Sequence, residues 1–268
     1  MKNAYSLKGL TAFITGASSG IGKACAEQLA ALGVHLVITA RRLERLEDMA
    51  QLLSTRYGVK VLALALDVQK KKQVDTVFER LAQENIGVDL LINNAGLALS
   101  TDKLQEAKTE NWDIMIDTNV KGLLYVTRAV LPQMVERNRG HIINIGSVAG
   151  QGYYMAGNVY CATKHAVKAL SHCLRLDLLG TKIRVSEIAP GAVETEFSEV
   201  RWNDKERAKK FYQDFEPLVA DDIADAVIYC ASRPEHVNIS ELVVFPQAQA
   251  SLTDLYREGQ AQKNLFSK

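Results

Sequence analysis

The chain has 268 residues, 47% of them hydrophobic and 24% charged, with a formal net charge of +1. That is ample apolar material for one core, and so balanced a charge gives no reason to expect nucleic acid or an anionic membrane surface as a partner. No apolar run is long enough to span a bilayer. The four cysteines, Cys25, Cys161, Cys173 and Cys230, lack C-x-x-C spacing and are expected as reduced thiols, with no metal site and no disulfide framework. The first eight residues contain no apolar targeting run, so Asn238-Ile239-Ser240 is not read as a glycosylation site and the expected compartment is the cytoplasm.

Leu10 to Thr15 is a short apolar run ending in Gly16-Ala17-Ser18-Ser19-Gly20-Ile21-Gly22, and a helical pattern through Cys25, Leu29 and Leu32 follows. Strand, glycine-rich turn and helix in that order open a dinucleotide-binding fold. Glycines permit the tight turn and let backbone N–H groups approach a pyrophosphate at a helix N-terminus. His35 to Ala40 predicts a second strand ending in Arg41-Arg42. NAD binders place an acid near here for the ribose 2′-hydroxyl; two guanidiniums suit a 2′-phosphate, so the expected cofactor is NADP. The alternative is that both arginines solvate the loop before the next helix.

Val59 to Leu66 is a third strand ending in Asp67-Val68, Val74 to Leu81 mark a helix, and Val88 to Ile92 a fourth strand ending in Asn93-Asn94-Ala95-Gly96. Near-continuous apolar strands alternating with amphipathic helices predict an α/β fold, a doubly wound parallel (Rossmann) sheet in a single domain spanning 1–268. Ligands bind at the C-terminal ends of such strands, where Asp67 and Asn93 fall, although either could equally be a turn or capping residue. Trp112 to Arg137 predicts one long helix, kinked or divided at Pro132. Ile142 to Gly146 predicts a buried strand leading into Ser147. Asn158 to Gly180 predicts a helix on which Tyr160 and Lys164, four residues apart, share a face. A nearby ammonium lowers a tyrosine pKa, which makes Tyr160 a candidate proton donor or acceptor. Ile183 to Ile188 is a further strand, ending in Ala189-Pro190-Gly191. Residues 192–217 carry many charges and few core residues, and read as a mobile substrate segment, part helix. Ala220 to Ser232 is a helix, Leu242 to Pro246 a last strand, and a polar tail follows.

Taken together, Thr15-Gly16-x-x-x-Gly20-x-Gly22, Asn93-Asn94-Ala95-Gly96, Asn119, Ser147, Tyr160-x-x-x-Lys164 and Pro190-Gly191 resemble the short-chain dehydrogenase/reductase family. Met115-Ile116-Asp117-Thr118-Asn119, Arg128-Ala129-Val130-Leu131-Pro132 and Gly140 to Ser147 look like its NADP-dependent 3-hydroxy acid dehydrogenases, which act on L-allo-threonine, L-serine and related acids. The resemblance implies Tyr160 as general acid–base, Lys164 as the cation that lowers its pKa and holds the nicotinamide ribose, Ser147 as donor to the carbonyl oxygen, and Asn119 as the residue steadying a water beside Lys164. It also implies a cofactor surface made of Gly16, Ser18, Ser19, Gly20, Ile21 and Gly22, of Arg41 and Arg42, of Asp67 and Val68 at the adenine, and of Asn93, Ala95 and Gly96 beside the adenosine. Pro190, Gly191, Val193 and Thr195 would complete it toward the nicotinamide. Family members are commonly homotetramers. Gln151 to Met155 and Ala189 to Gly191 depart from that branch, so the small-molecule substrate is where expectations divide. A 3-hydroxy acid needs a cation, and Arg201 is the candidate, against the reading of a solvated arginine. A more apolar carbonyl would use Tyr153, Tyr154, Met155 and Trp202 as walls. A non-catalytic NADP-binding sensor is the reading from another class, and such a protein would be expected to lose Ser147, Tyr160 or Lys164.

Overall fold

The computed structural model describes residues 5–259, so both ends of the expected 1–268 domain, including the close of the polar tail, lie outside the described residues. Seven parallel strands form one sheet: β1 (Thr11–Thr15), β2 (His35–Ala40), β3 (Val61–Ala65), β4 (Leu90–Asn93), β5 (Gly140–Ile145), β6 (Ile183–Pro190) and β7 (Glu241–Val244), in the order β3-β2-β1-β4-β5-β6-β7. Alternation along each strand decides which helix layer a side chain meets. Ile14, Ile38, Ile92, Ile143 and Ile188 face a layer made by α1 (Gly20–Ala31), α2 (Leu43–Tyr57) and α9 (Ala220–Ala231). Phe13, Val37, Leu91, Ile142 and Val185 face the other layer, made by α3 (Lys71–Gln83), α5 (Leu123–Glu136) and the end of α6 (Asn158–Asp177). Both faces are covered, which is why the strands read as unbroken apolar runs. The order reverses between β1 and β4, and the crevice beyond their C-terminal ends is where such a sheet takes a ligand.

The long helix expected over Trp112–Arg137 is broken at a different place. It begins as α4 (Thr109–Ile116), passes through a π-helical turn over Asp117–Gly122 and continues as α5, with Pro132 inside α5 and not dividing it. The reason lies in two anchors within that turn. Asn119 is fixed to the backbone of Leu97, and Gly122 lies so close to Val68 that an added Cβ would come within 2.7 Å of its Cγ2.

The 192–217 segment forms two short helices, α7 (Glu196–Trp202) and α8 (Lys205–Phe211), capped by the side chains of Thr195 and Asp204. It has more packing than its charge suggested: Trp202 and Phe211 rings lie 5.5 Å apart, and Ser198 and Ala208 are buried. Nor is the stretch after β7 merely a polar tail. Gln249 Oε1 accepts from Ala192 N at 2.9 Å, Glu258 N donates to Asp214 O at 2.7 Å, and Arg257 donates to Phe211 O. The stretch from Gln249 to Glu258 therefore clasps the helical segment from outside. No helix among the described residues is long and apolar enough to cross a membrane.

Candidate active site

One cavity of about 520 Å³ runs along the C-terminal ends of the central strands. Its floor is the turn between β1 and α1. Thr15 Oγ1 accepts from Asn94 N at 3.0 Å and Ala95 N at 2.9 Å, tying that turn to the end of β4. Gly16 is left-handed at φ +67°, and a Cβ on Gly22 would overlap Gly16 O and the Asn94 amide, so neither position tolerates a side chain. Ser19 precedes α1 in extended backbone without capping it, leaving the N–H groups of the first turn as donors for an anion. Arg41 and Arg42 stand over the same end. Arg42 donates to Ser18 Oγ at 3.1 Å, to Ser19 Oγ at 2.9 Å and to Glu196 Oε2 at 3.0 Å, while Arg45 holds the other Glu196 oxygen at 2.8 Å. These bonds, that of Arg45 first, hold the Glu196 carboxyl below the usual carboxylate range. Glycine turn, open helix N-terminus and paired arginines fit a dinucleotide bearing a 2′-phosphate.

At the other end β5 stops at Ile145, and Ser147 starts a 3₁₀ turn over Val148–Gly150, its Oγ accepting from Ala149 N at 3.1 Å. Helix α6 presents Tyr160 and Lys164 to this point, both buried. Lys164 Nζ donates to Ile145 O at 2.9 Å and lies 5.9 Å from the Tyr160 ring centroid. The expected lowering of the Tyr160 pKa by Lys164 is not the dominant effect. Burial pushes the phenol well above its ordinary value of 10.0, opposed first by the Ser147 hydroxyl and then by the Arg201 charge. Lys164 pays the same desolvation with opposite sign: burial pushes it down to about 8, and Glu187 pulls it back up.

Of the residues named from the sequence, Gly16, Ser18, Ser19, Gly20, Ile21, Arg41, Arg42, Asp67, Val68, Ala95, Gly96, Ser147, Tyr160, Lys164, Pro190, Gly191, Val193, Thr195 and Arg201 line the cavity. Four do not. Gly22 packs beneath the turn. Asn93 points into the sheet, donating to Thr127 Oγ1 and Asn144 Oδ1 at 2.9 Å each, because alternation turns it toward α5; its neighbour Asn94 takes the cavity position. Asn119 is buried, donating to Leu97 O at 2.8 Å and Thr163 Oγ1 at 3.0 Å and accepting from Leu97 N at 2.9 Å, so its side chain is committed to the loop after β4. Tyr153 is 78% exposed and stacked on His165 outside the cavity, and Met155 is likewise exposed; Tyr154 and Trp202 remain as wall residues.

Arg201 is not a solvated arginine. It donates to the Tyr154 hydroxyl, and its guanidinium carbon sits 5.6 Å from the Tyr160 ring centroid and 5.3 Å from that of Tyr154. Its Nε is buried without a partner among the described residues. Phe197, Tyr212, Gln249 and Leu252 also line this end, and none was singled out from the sequence. Glu196 had a signal, one of two acids in the first turn of α7, although nothing in the sequence sets it opposite Arg42 and Arg45. Gln249 had none, since its place depends on how the chain end folds back.

A doubly wound sheet whose switch-point cavity joins a 2′-phosphate cradle to a buried serine, tyrosine and lysine defines a nicotinamide-dependent oxidoreductase site. The chain belongs to the short chain dehydrogenase family, whose model matches residues 10–206. It is 44% identical over 254 residues to an NADP-dependent 3-hydroxy acid dehydrogenase of Schizosaccharomyces pombe, covering 94% of this chain and 98% of that one. It is 45% identical over 239 residues to sulfoacetaldehyde reductase 2 of Chromohalobacter salexigens, covering 88% and 94%. Among solved structures it is similar to the closed form of serine dehydrogenase complexed with NADP+, at TM-score 0.85 and 43% identity over 93% of this chain and all of that one.

Proposed function

We propose that the protein is an NADP-dependent oxidoreductase interconverting small 3-hydroxy acids, of the L-serine, L-allo-threonine and 3-hydroxyisobutyrate type, with their 3-oxo acids. The observation that carries this reading is Arg201, a partly unsatisfied guanidinium held over Tyr160 at the far end of the cavity from Arg42. A carboxylate on that arginine would set the neighbouring hydroxyl-bearing carbon beside Tyr160 and Ser147. The similarity to the Schizosaccharomyces pombe 3-hydroxy acid dehydrogenase and to serine dehydrogenase with NADP+ supports it, and sulfoacetaldehyde, named for the other relative, is likewise a small anionic carbonyl.

Arg41 and Arg42 with Ser18 would hold the 2′-phosphate, Gly20 and Ile21 the pyrophosphate, and Lys164 the ribose beside the nicotinamide. The bound nicotinamide supplies or accepts the hydride. Tyr160 gives its phenolic proton to the substrate oxygen in reduction and recovers it in oxidation, with Ser147 donating to the same oxygen. A charged Lys164 stabilises the tyrosinate formed in reduction. Asn119 fixes the π turn, so its part in holding a water near Lys164 falls to that turn's backbone. The segment 192–217, closing over the cavity with Arg201, Phe197 and Trp202, is a mobile lid.

The exposed apolar residues Ile116, Leu124 and Leu176 on α4, α5 and α6 support a homotetramer, and four unpaired cysteines support a cytoplasmic location. A second reading, reduction of a more apolar carbonyl, is favoured by the aromatic wall of Tyr154, Phe197, Trp202 and Phe211. Cofactor absorbance with NADP and NAD against L-serine, L-allo-threonine, 3-hydroxyisobutyrate and apolar alcohols separates the two. Turnover of the acids with NADP is the expected result; turnover of apolar alcohols alone would transfer the assignment to the second reading.

A further inference from the structure

A polar row crosses the α5–α6 face of the sheet. Strand register pairs Asn93 with Asn144, Asn144 with Glu187, and Glu187 with Glu241, so all four side chains lie on one face near the strand ends. Asn93 and Asn144 are tied down, to Thr127, to each other and to Ser171 of α6. Glu187 is different. It is 1% exposed, and neither carboxylate oxygen has a hydrogen-bond partner among the described residues.

A buried unpartnered carboxylate is costly, and a purely structural role would be served better by an amide or an apolar side chain. Its surroundings give it another use. A Cβ on Gly146 would overlap the carboxylate, which therefore sits directly behind the Gly146–Ser147 turn. Lys164 donates to Ile145 O, one residue before that turn. The charges facing Glu187 are Lys164, Lys168 and Arg175 from α6 and Glu241 from β7. Lys168 and Glu241 are paired at 3.1 Å, and both contact Gln151 at the rim.

We propose that Glu187 is a positioning residue for the proton chemistry of the site: its carboxylate, behind the serine turn and facing α6, keeps Lys164 protonated. This rests on the reading of Lys164 as the cation beside Tyr160. Burial pushes Glu187 up to about 7 and Lys164 down to about 8, and each opposes the other's shift, so the two groups titrate next to one another. Glu187 is ionised above its folded pKa and Lys164 charged below its own, so the working pair exists in the window between and around those values. As pH rises through the Lys164 value the ammonium is lost, and removing the Glu187 charge brings that loss to lower pH.

The test is the pH dependence of NADPH binding, followed by quenching of protein fluorescence, alongside kcat/KM for carbonyl reduction. Glu187→Gln is expected to move the alkaline limb of both profiles down by about one pH unit, a tenfold change in the Lys164 ionisation, with little change on the lower-pH plateau. Glu187→Asp should recover part of the shift. Glu241→Gln leaves the Glu187 carboxylate ionised above its folded pKa, so it should leave the alkaline limb in place. Should Glu187→Gln fail to fold, Glu187→Met, an apolar side chain that needs no buried partner, is expected to show the same downward shift. An alkaline limb unmoved by the Glu187 variants, or a uniform loss of binding at every pH, would overturn the proposal. Because the binding profile needs no substrate, it stands apart from the hydroxy-acid assignment, which fails only if the acids are not turned over.

Discussion

The two ends of the cavity handle charge in opposite ways. At the adenosine end Arg42, Arg45 and Glu196 form an ion-pair cluster whose side chains are 41–50% exposed, where water screens each charge and an exchange of partners costs little. At the other end Lys164, Tyr160 and Glu187 are buried, and burial displaces each from its ordinary pKa, opposed next by Glu187 at Lys164 and by Ser147 at Tyr160 and reinforced by Glu241 at Glu187. On the proposed function, recognition sits where an incoming phosphate can take Arg42 from Glu196 at small cost, and proton transfer where a single charge changes the ionisation of the next. The difference predicts that substitutions at the first end act mainly on affinity and substitutions at the second on chemistry.

The largest break in that comparison is Tyr160→Phe. It removes the proposed proton donor and leaves the glycine turn and arginines intact, so kcat should fall by about 10²- to 10⁴-fold with NADPH affinity nearly unchanged. Steady-state rates with a parallel fluorescence titration check this; undiminished turnover would remove Tyr160 from the chemistry. Arg42→Ala should act the other way round. It is expected to raise KM for NADP by about tenfold, about 1.4 kcal/mol, with kcat and KM for NAD little altered. That is the low end for a charge-assisted bond, because Arg42 is partly solvated. The NADP effect should also shrink with added salt, whereas the Glu187 and Tyr160 effects should not.

Much of this was legible in the sequence because short-range physics decides it. The strands announce themselves as apolar runs, the β1–α1 turn by its glycines, and the Tyr160–Lys164 pair by its four-residue spacing. The rest depended on contacts distant along the chain. The π turn at Asn119 exists because Leu97, 22 residues earlier, takes both ends of its amide. Asn93 and Asn94 look alike in sequence, and only strand alternation sends one inward and the other to the cavity. Tyr153 and Tyr154 present the same ambiguity: the loop before α6 exposes the first and gives the second to Arg201. The rise in the Tyr160 pKa was hidden for a similar reason. Spacing reveals the neighbouring cation, but the extent of burial emerges only once α6, β5 and α7 have closed around the phenol.

The central claim is that one cation at the far end of the cavity selects an anionic substrate for the buried acid–base pair. The most direct measurement is kcat/KM for 3-hydroxyisobutyrate and for its methyl ester, with NADP, in the wild type and in Arg201→Ala. The account predicts that the substitution lowers kcat/KM for the acid by about 10- to 100-fold, the worth of one partly desolvated charge-assisted contact, and changes the ester by less than about threefold. Equal losses for acid and ester, or none for either, would contradict it.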